Sequence, residues 1–227
     1  MITASLTRSA EPYVPVQEKK RRAAQSLQPT GLADVYEEEV NIAIWQRTLS
    51  SALQLSVKNT LALKPALQVS ASVTPKSAGS CLQECLDADI SFELVEDIVE
   101  LVDMFCCLFD LKRAGLRLTA LDKAMCPRFH VDRVPGRLVT TYQGVATEWL
   151  PHEQVDRSKL GAGNNGLTDI HSGLFENEQD IQQLNHGDVA ILKGELWEGN
   201  ENAGLVHRSP ALTTDERRLL LTLDFSD

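Results

Sequence analysis

The sequence has no long apolar run. None of its hydrophobic stretches approaches the roughly 20 residues that a helix needs to cross a bilayer. The amino terminus also has no apolar segment of the kind found in secretory signals. We therefore expect a cytoplasmic protein with no membrane-spanning segment.

Positive charge is scarce as well. The chain has 227 residues, with 22 lysines and arginines against 32 aspartates and glutamates, which gives a formal net charge of −10. Such a charge repels nucleic acid and anionic membrane surfaces, so we expect no polyanionic partner. We interpret the basic run Lys19–Arg22 as a solvated charge cluster rather than an interaction tag.

The cysteines follow no disulfide or zinc-finger pattern. There are five, an odd number, which is typical of reduced thiols in a cytosol. Cys81 and Cys85 are four residues apart, but no second pair of cysteines or histidines follows at zinc-finger distance. The glycine-rich stretch 161–166 lacks the lysine and hydroxyl residue of a phosphate-binding loop, and we interpret it as an ordinary loop.

The first half of the chain is predicted to be mainly helical. Residues 1–30 are polar and are interpreted as a flexible amino-terminal segment. Apolar stripes predict a helix over residues 34–57 and a strongly amphipathic helix over residues 92–112, ended by Gly115. Between these helices, the alternating residues 66–73 predict a short strand.

From residue 116 onward the hydrophobic period changes to two. Short strands are predicted at residues 116–120, 137–142, 189–192, 205–207 and 218–225. Helices followed by short strands indicate an α+β fold, a β-sandwich or open barrel buttressed by helices. We expect residues 31–227 to form a single domain, with 31–115 as mainly helical support and 116–227 as the β core.

A candidate metal site lies in the stretch Cys126–Tyr142. His130 and Asp132 are two residues apart, and on a strand such residues share a face, with backbones roughly 7 Å apart. His207 can supply the third ligand of a set of two histidines and one carboxylate, which leaves open positions on the ion. Cys126, four residues before His130, could also approach the metal, and its thiolate would favour zinc.

The order of these residues resembles a known family. His130-Val131-Asp132, Gly187-Asp188 opening an apolar strand, His207, and Arg218 on the last strand resemble the iron(II)/2-oxoglutarate oxygenases. The resemblance covers about residues 116–225. It implies a double-stranded β-helix, a jelly-roll or cupin-like fold, with the amino-terminal helices packed against it.

A second, narrower resemblance covers most of the chain after about residue 35. The stretches CPRFHVD (126–132), RLVTTYQG (137–144), TEWL (147–150) and RRLLLTLDF (217–225) are similar to a bacterial family known as domain of unknown function 1826. This family implies no activity, so the expected chemistry comes from the oxygenase resemblance alone.

The oxygenase resemblance implies two cofactors and the residues that bind them. His130, Asp132 and His207 would hold Fe(II), and Arg218 would pair with the distal carboxylate of 2-oxoglutarate. Thr140 and Tyr142, on one face of their strand, could donate hydroxyl hydrogen bonds to the same acid, and Thr222, four residues after Arg218, faces the same side as Arg218. The alternatives are a core aromatic for Tyr142 and ordinary strand residues for Thr140 and Thr222. Arg217 is the alternative to Arg218, because Leu219, Leu221, Leu223 and Phe225 share its face and could form the barrel interior.

Two functions of different classes follow. The first is an oxygenase that couples the oxidative decarboxylation of 2-oxoglutarate to hydroxylation of an unknown small-molecule or protein substrate. The alternative is a non-catalytic or zinc-binding protein on the same scaffold, acting in metal handling, with Zn(II) in place of Fe(II). Arg218 discriminates between them, since a zinc store needs no carboxylate-binding arginine.

Overall fold

The computed structural model describes residues 19–87 and 90–226. In this part of the chain, the α-helices are α1 (Ser51–Leu63), α2 (Ala78–Cys85) and α3 (Phe92–Phe109). The strands are β1 (Arg22–Ser26), β2 (Val40–Trp45), β3 (Gln68–Val73), β4 (Ala114–Leu121), β5 (Gly136–Gln143), β6 (Glu148–Leu150), β7 (Gln182–Gln183), β8 (Val189–Lys193), β9 (Val206–Arg208) and β10 (Arg218–Phe225). Short 3₁₀ turns fill several of the connections.

The strands form two sheets. The larger has seven strands in the order β1-β2-β8-β5-β10-β4-β3, and the smaller has three in the order β7-β6-β9. All neighbouring strands are antiparallel except β1 and β2, which are parallel. The expected α+β class is therefore confirmed.

The α-helices cover one face of the larger sheet. Helix α3 buries Leu94, Ile98, Leu101 and Phe105 along a single stripe. These side chains share a core cluster with the odd-numbered leucines of β10, such as Leu221. Each fully buried side chain of this kind contributes roughly 1.5–3 kcal/mol.

The smaller sheet packs on the opposite face of the larger one. A second core cluster joins the two sheets: Ile42, Ile44, Val139, Trp149, Leu192, Leu205 and Leu220. Strand β10 therefore alternates, with Leu219 and Leu221 toward the helices and Arg218 and Leu220 toward the smaller sheet. The odd-numbered leucines do not form the interior between the sheets, as the alternative based on Arg217 would require.

The predicted helix over residues 34–57 is wrong. The chain instead forms a 3₁₀ turn at Pro29–Tyr36, then strand β2, and only then helix α1. The apolar run of β2 is buried on both faces, between the helices and the smaller sheet. Because a strand buried on both faces has no polar side, its sequence does not distinguish it from a buried helix.

The amino-terminal predictions also need correction. Residues 1–18 lie outside the described part, but β1 falls within the segment expected to be flexible, and it adds a strand to the larger sheet. Arg21 is buried rather than solvated, and its guanidinium donates to the side chain of Asn200 and the carbonyl of Gly199. Residues 31–115 hold the three α-helices, and they also contribute β2, β3 and the start of β4 to the larger sheet.

Other predictions agree with the structure. The strand over residues 66–73 corresponds to β3, and the helix over residues 92–112 corresponds to α3. Helix α3 ends at Asp110, in the left-handed conformation with φ 52°, and not at Gly115, which lies in β4. Among the described residues, no helix has both the length and the hydropathy needed to cross a bilayer.

Candidate metal centre

His130 and His207 lie opposite each other on two antiparallel segments. The backbone N–H of each donates to the carbonyl of the other at 3.0 Å. Gly204 makes this close approach possible, because a Cβ at that position would lie 2.5 Å from Cγ1 of Val131. The pairing brings a histidine from the end of the chain beside the His-x-Asp segment.

The three predicted ligands converge. Ligand atoms of His130, Asp132 and His207 all lie within 4.8 Å of one another. Nε2 of His130 is 3.7 Å from Oδ1 of Asp132, and Nε2 of His207 is 3.4 Å from its Oδ2. The two imidazole ring centroids are 4.6 Å apart. The structure therefore brings together the set of two histidines and one carboxylate that the sequence predicts.

The chemistry of these donors fits a divalent ion. Nδ1 of His130 is 3.0 Å from the carbonyl oxygen of Arg128, and Nδ1 of His207 is 3.2 Å from that of Leu205. A carbonyl oxygen can only accept, so each Nδ1 must hold the proton. Each Nε2 then presents a lone pair toward Asp132, which is the tautomer that metal-binding histidines adopt.

The protonation states also favour metal binding. Burial lowers the pKa of His130, and the neighbouring His207 lowers it further, so the imidazole is neutral at neutral pH. Burial disfavours the charged form of Asp132, but a proton on Nε2 of His207, which would hydrogen-bond to the carboxylate, and the charge of Arg137 outweigh it, and the pKa falls to about 2. A bound ion would take the place of that proton. A divalent ion needs a neutral imidazole and an ionised carboxylate, and both are present here.

Arg137 is a neighbour of this centre whose role the sequence did not reveal. Its Nη1 donates to Oδ2 of Asp132 at 2.7 Å, and its Nε and Nη2 donate to both carboxylate oxygens of Asp224. The hydrogen bonds of Arg137 raise its pKa against the opposing effect of burial. With its donors used by two carboxylates, Arg137 is not available to an incoming anion.

Arg218 differs from Arg137 in its partners. Its side chain is only 1% exposed, and it donates to the hydroxyls of Thr141, Thr147 and Ser209 at 2.8–3.3 Å. No carboxylate among the described residues forms an ion pair with it. Burial lowers the pKa of Arg218 to about 10. The hydrogen-bond partners of Arg218 are all neutral, and the charge of Glu148 offsets its burial only in part, so an anionic ligand would supply the missing charge.

The predicted hydroxyl donors are only partly in place. Thr140 and Tyr142 lie on the face of β5 that packs against the helices, and the hydroxyl of Tyr142 donates to Asp97 on α3. The prediction that they bind the cosubstrate is therefore wrong, because their side chains lie on the face of β5 opposite to Arg218. Thr141 faces the other way and contacts Arg218. The sequence held a signal of this. Leu138 is apolar and two residues before Thr140, so it shares a face of the strand with Thr140 and Tyr142, and an apolar face is expected to point into the core.

The remaining predicted residues are easily placed. Thr222 lies on the face of β10 that holds Arg218, as expected from their spacing of four. Arg217 is exposed and precedes the strand. Cys126 is exposed and is not part of the ligand cluster, although its carbonyl accepts a hydrogen bond from the N–H of Ser209.

The sequence matches the family described as protein of unknown function DUF1826 over residues 26–224. The chain belongs to this family. The narrower of the two resemblances found in the sequence is thus confirmed. A search of curated proteins finds no significant match.

Solved structures place the fold near the oxygenases. The chain is similar to the dioxygenase for auxin oxidation of rice, with a TM-score of 0.52 and 12% identity over 90% of this chain and 82% of that one. It is also similar to dioxygenase for auxin oxidation 1 from Arabidopsis thaliana in complex with 2-oxoglutarate, with a TM-score of 0.50 and 9% identity over 90% and 91%. At these identities the likeness concerns the fold and not the activity.

Proposed function

We propose that this protein is an iron(II)/2-oxoglutarate-dependent oxygenase that hydroxylates a substrate. The observation that supports this most directly is Arg218, a buried guanidinium that forms no ion pair within the described part of the chain, on the same side of the larger sheet as the three candidate ligands. A metal-binding protein without a dicarboxylate cosubstrate has no evident use for such a group.

The spacing between Arg218 and the ligands suits a small dicarboxylate. Nη1 of Arg218 donates to the hydroxyl of Ser209 at 2.9 Å. Ser209 is two residues after His207, so their backbones are roughly 7 Å apart. A five-carbon acid could therefore reach the ion with its 2-oxo acid end and Arg218 with its distal carboxylate.

The fold supports the same proposal. We propose that the seven-stranded and three-stranded sheets are the two sides of a double-stranded β-helix, with His207 on the smaller sheet, His130 bridged to it, and Arg218 on the larger sheet. The Arabidopsis dioxygenase with a similar fold was solved with 2-oxoglutarate. That protein's cosubstrate is the one that the arginine and the ligand set here would accept.

Each residue has a separate task in this proposal. When bound, iron and 2-oxoglutarate would together supply the reduction of O₂ and the oxidation of a C–H bond. His130, Asp132 and His207 hold the ion and leave its other positions open. Arg218 binds the distal carboxylate, and Thr141 and Thr147 orient its guanidinium. Trp149, which pairs with His207, and Leu220, two residues after Arg218, place the apolar cluster between the sheets beside these groups.

The zinc-binding alternative is less well supported. A structural zinc site closes with four protein ligands, often including thiolates. The cluster has three ligands in the described part of the chain, and Cys126 is not among them. An open set of three is typical of a site that binds small molecules at the metal.

A titration of 2-oxoglutarate into oxygen-free protein loaded with Fe(II) tests the proposal. Arg218→Ala should weaken 2-oxoglutarate binding about ten- to a hundredfold, since a charge-assisted hydrogen bond contributes roughly 1.5–3 kcal/mol. Metal binding should persist, because Arg218 is not a ligand. Arg217→Ala is the matched control, with an exposed guanidinium one residue away, and should leave both affinities unchanged.

The same samples show whether the chemistry occurs. On exposure to O₂, with ascorbate supplied as the reductant in place of a substrate, the wild type should convert 2-oxoglutarate to succinate slowly, and Arg218→Ala should do so only at higher 2-oxoglutarate concentration. If the wild type binds metal but shows no binding of 2-oxoglutarate at millimolar concentration, the oxygenase proposal fails.

A further inference from the structure

Arg137 bridges two carboxylates beside the candidate metal centre. It donates to Asp132 at 2.7 Å and to the two oxygens of Asp224 at 2.6 and 3.1 Å. The exposed fractions of the three side chains are 19% for Arg137, 14% for Asp132 and 11% for Asp224. Packing therefore holds this bridge in one geometry.

We propose that Arg137 is a positioning residue for the metal site. It donates to Oδ2 of Asp132, so that the carboxylate would hold an ion through one oxygen and not as a two-oxygen chelate. Asp224 in turn fixes the guanidinium of Arg137. This inference rests on the proposed metal-binding function and extends it to residues that do not touch the metal.

The local structure explains why Asp132 needs such support. Asp132 follows the bridge at His130 and lies outside any strand, so the pleat of a sheet does not set its side-chain direction. Its backbone carbonyl accepts from the N–H of Glu195, which fixes the main chain but not the carboxylate. Arg137 lies near the start of β5, in the middle of the larger sheet, and is a rigid anchor five residues away.

Single-oxygen binding matters for the number of open positions. Three ligands from three residues leave half of an octahedral ion open, whereas chelation by both oxygens of Asp132 would remove one of those places. Residues that orient metal ligands without touching the metal commonly change metal affinity about ten- to a hundredfold when replaced.

If Arg137 acted only through its charge, its removal would tighten metal binding instead of weakening it. The two explanations, charge and positioning, can therefore be separated by experiment. A guanidinium repels a divalent cation, so an arginine acting only through its charge would be expected to weaken metal binding, and its removal would tighten it. Positioning predicts that removal weakens binding.

The test measures Co(II) binding to the full chain without oxygen, by the absorption of the bound ion. Arg137→Gln should weaken Co(II) binding about tenfold or more. Arg117→Gln is the matched control, because Arg117 contacts the same Asp224, at 3.3 Å, but does not contact Asp132. The control should keep wild-type affinity. Melting temperatures without metal, measured in parallel, separate this effect from a loss of folding.

Two further variants complete the test. The double change Arg137→Gln with Asp224→Asn removes one charge of each sign, so a loss of affinity that persists there comes from positioning. Arg137→Lys keeps the charge but not the planar fork, and we expect an intermediate affinity and an altered Co(II) spectrum. Unchanged or tighter binding in both Arg137→Gln and the double variant overturns the inference. A wild type that binds no Co(II) would instead overturn the metal site itself.

Discussion

Two arginines face the candidate metal centre from the larger sheet. Arg137 meets the carboxylates of Asp132 and Asp224, while Arg218 meets only hydroxyl groups. The same functional group therefore has two roles, set by its neighbours. Arg137 is neutralised by two carboxylates, whereas Arg218 is buried without an ion-pair partner among the described residues, which is why we propose that it binds an anion.

Lys193 is another buried cation, and its burial predicts a pH dependence of stability. Its side chain is 1% exposed, donates to the carbonyl of Glu37 and lies over the ring of Trp197. Burial, together with the charge of Arg21, lowers the pKa of Lys193 to about 8. The unfolded chain therefore holds this proton more tightly than the folded chain between about pH 8 and the ordinary lysine value near 10.4.

The sign of the effect follows from proton uptake on unfolding. Within that window the unfolded state binds more protons, so the contribution of Lys193 to the free energy of unfolding rises with pH. We expect the wild type to gain stability relative to Lys193→Met between pH 8 and about pH 10.4. Urea denaturation at several pH values measures the difference, with Lys58→Met, at an exposed position, as the control. A difference that is constant or falls with pH would contradict the assignment.

At the scale of elements, helix α3 and the candidate metal site lie on opposite faces of the larger sheet, with strand β10 between them. Strand β10 presents leucines to α3 on one face and Arg218 to the smaller sheet on the other. A change in α3 should therefore alter stability and leave the metal site intact, because the whole thickness of the larger sheet separates them.

Ile98→Ala tests this separation. Ile98 is fully buried in α3, and truncation of a buried isoleucine costs about 2–5 kcal/mol of unfolding free energy. Co(II) affinity of the folded variant should match the wild type. Leu55→Ala on α1 is the control, since Leu55 is 58% exposed and its truncation should change stability by less than about 0.5 kcal/mol. A large loss of metal affinity in Ile98→Ala would show that the helical layer controls the site.

At the scale of the whole molecule, the metal site joins two parts of the chain that are far apart in sequence. His130 and His207 are held together by the backbone bridge between their segments, and His207 pairs with Trp149 across β6 and β9. Because a bound ion requires all of these segments to be folded, metal binding should stabilise the whole chain.

Melting in the presence of metal measures this linkage. An ion at one hundred times its dissociation constant should add about 2.7 kcal/mol to the free energy of unfolding. For a chain of this length that corresponds to a rise in melting temperature of roughly 5–10 °C. The rise should disappear with a chelator and in His207→Ala. Equal shifts in the wild type and in His207→Ala would place the ion elsewhere.

The sequence by itself determined the features that depend on neighbouring residues. The spacing of His130 and Asp132, the stripe of α3 and the alternation of β4 are all local patterns, and the structure contains each of them. The order of His130, Asp132, His207 and Arg218 along the chain could also be read from the sequence, and it is the order in which the structure's segments follow one another.

Only the tertiary structure decided the features that depend on distant residues. Strand β2 is a strand and not a helix because it pairs with β1 and β8 and is covered on both faces. Thr141 and not Thr140 meets Arg218 because the helices cover the other face of β5. Arg137 supports Asp132 because Asp224, 87 residues away, holds it in place. Side chains that meet across such distances leave no local pattern in the sequence. Only the packing of the sheets determines which face of a strand is covered by the helices and which faces the smaller sheet.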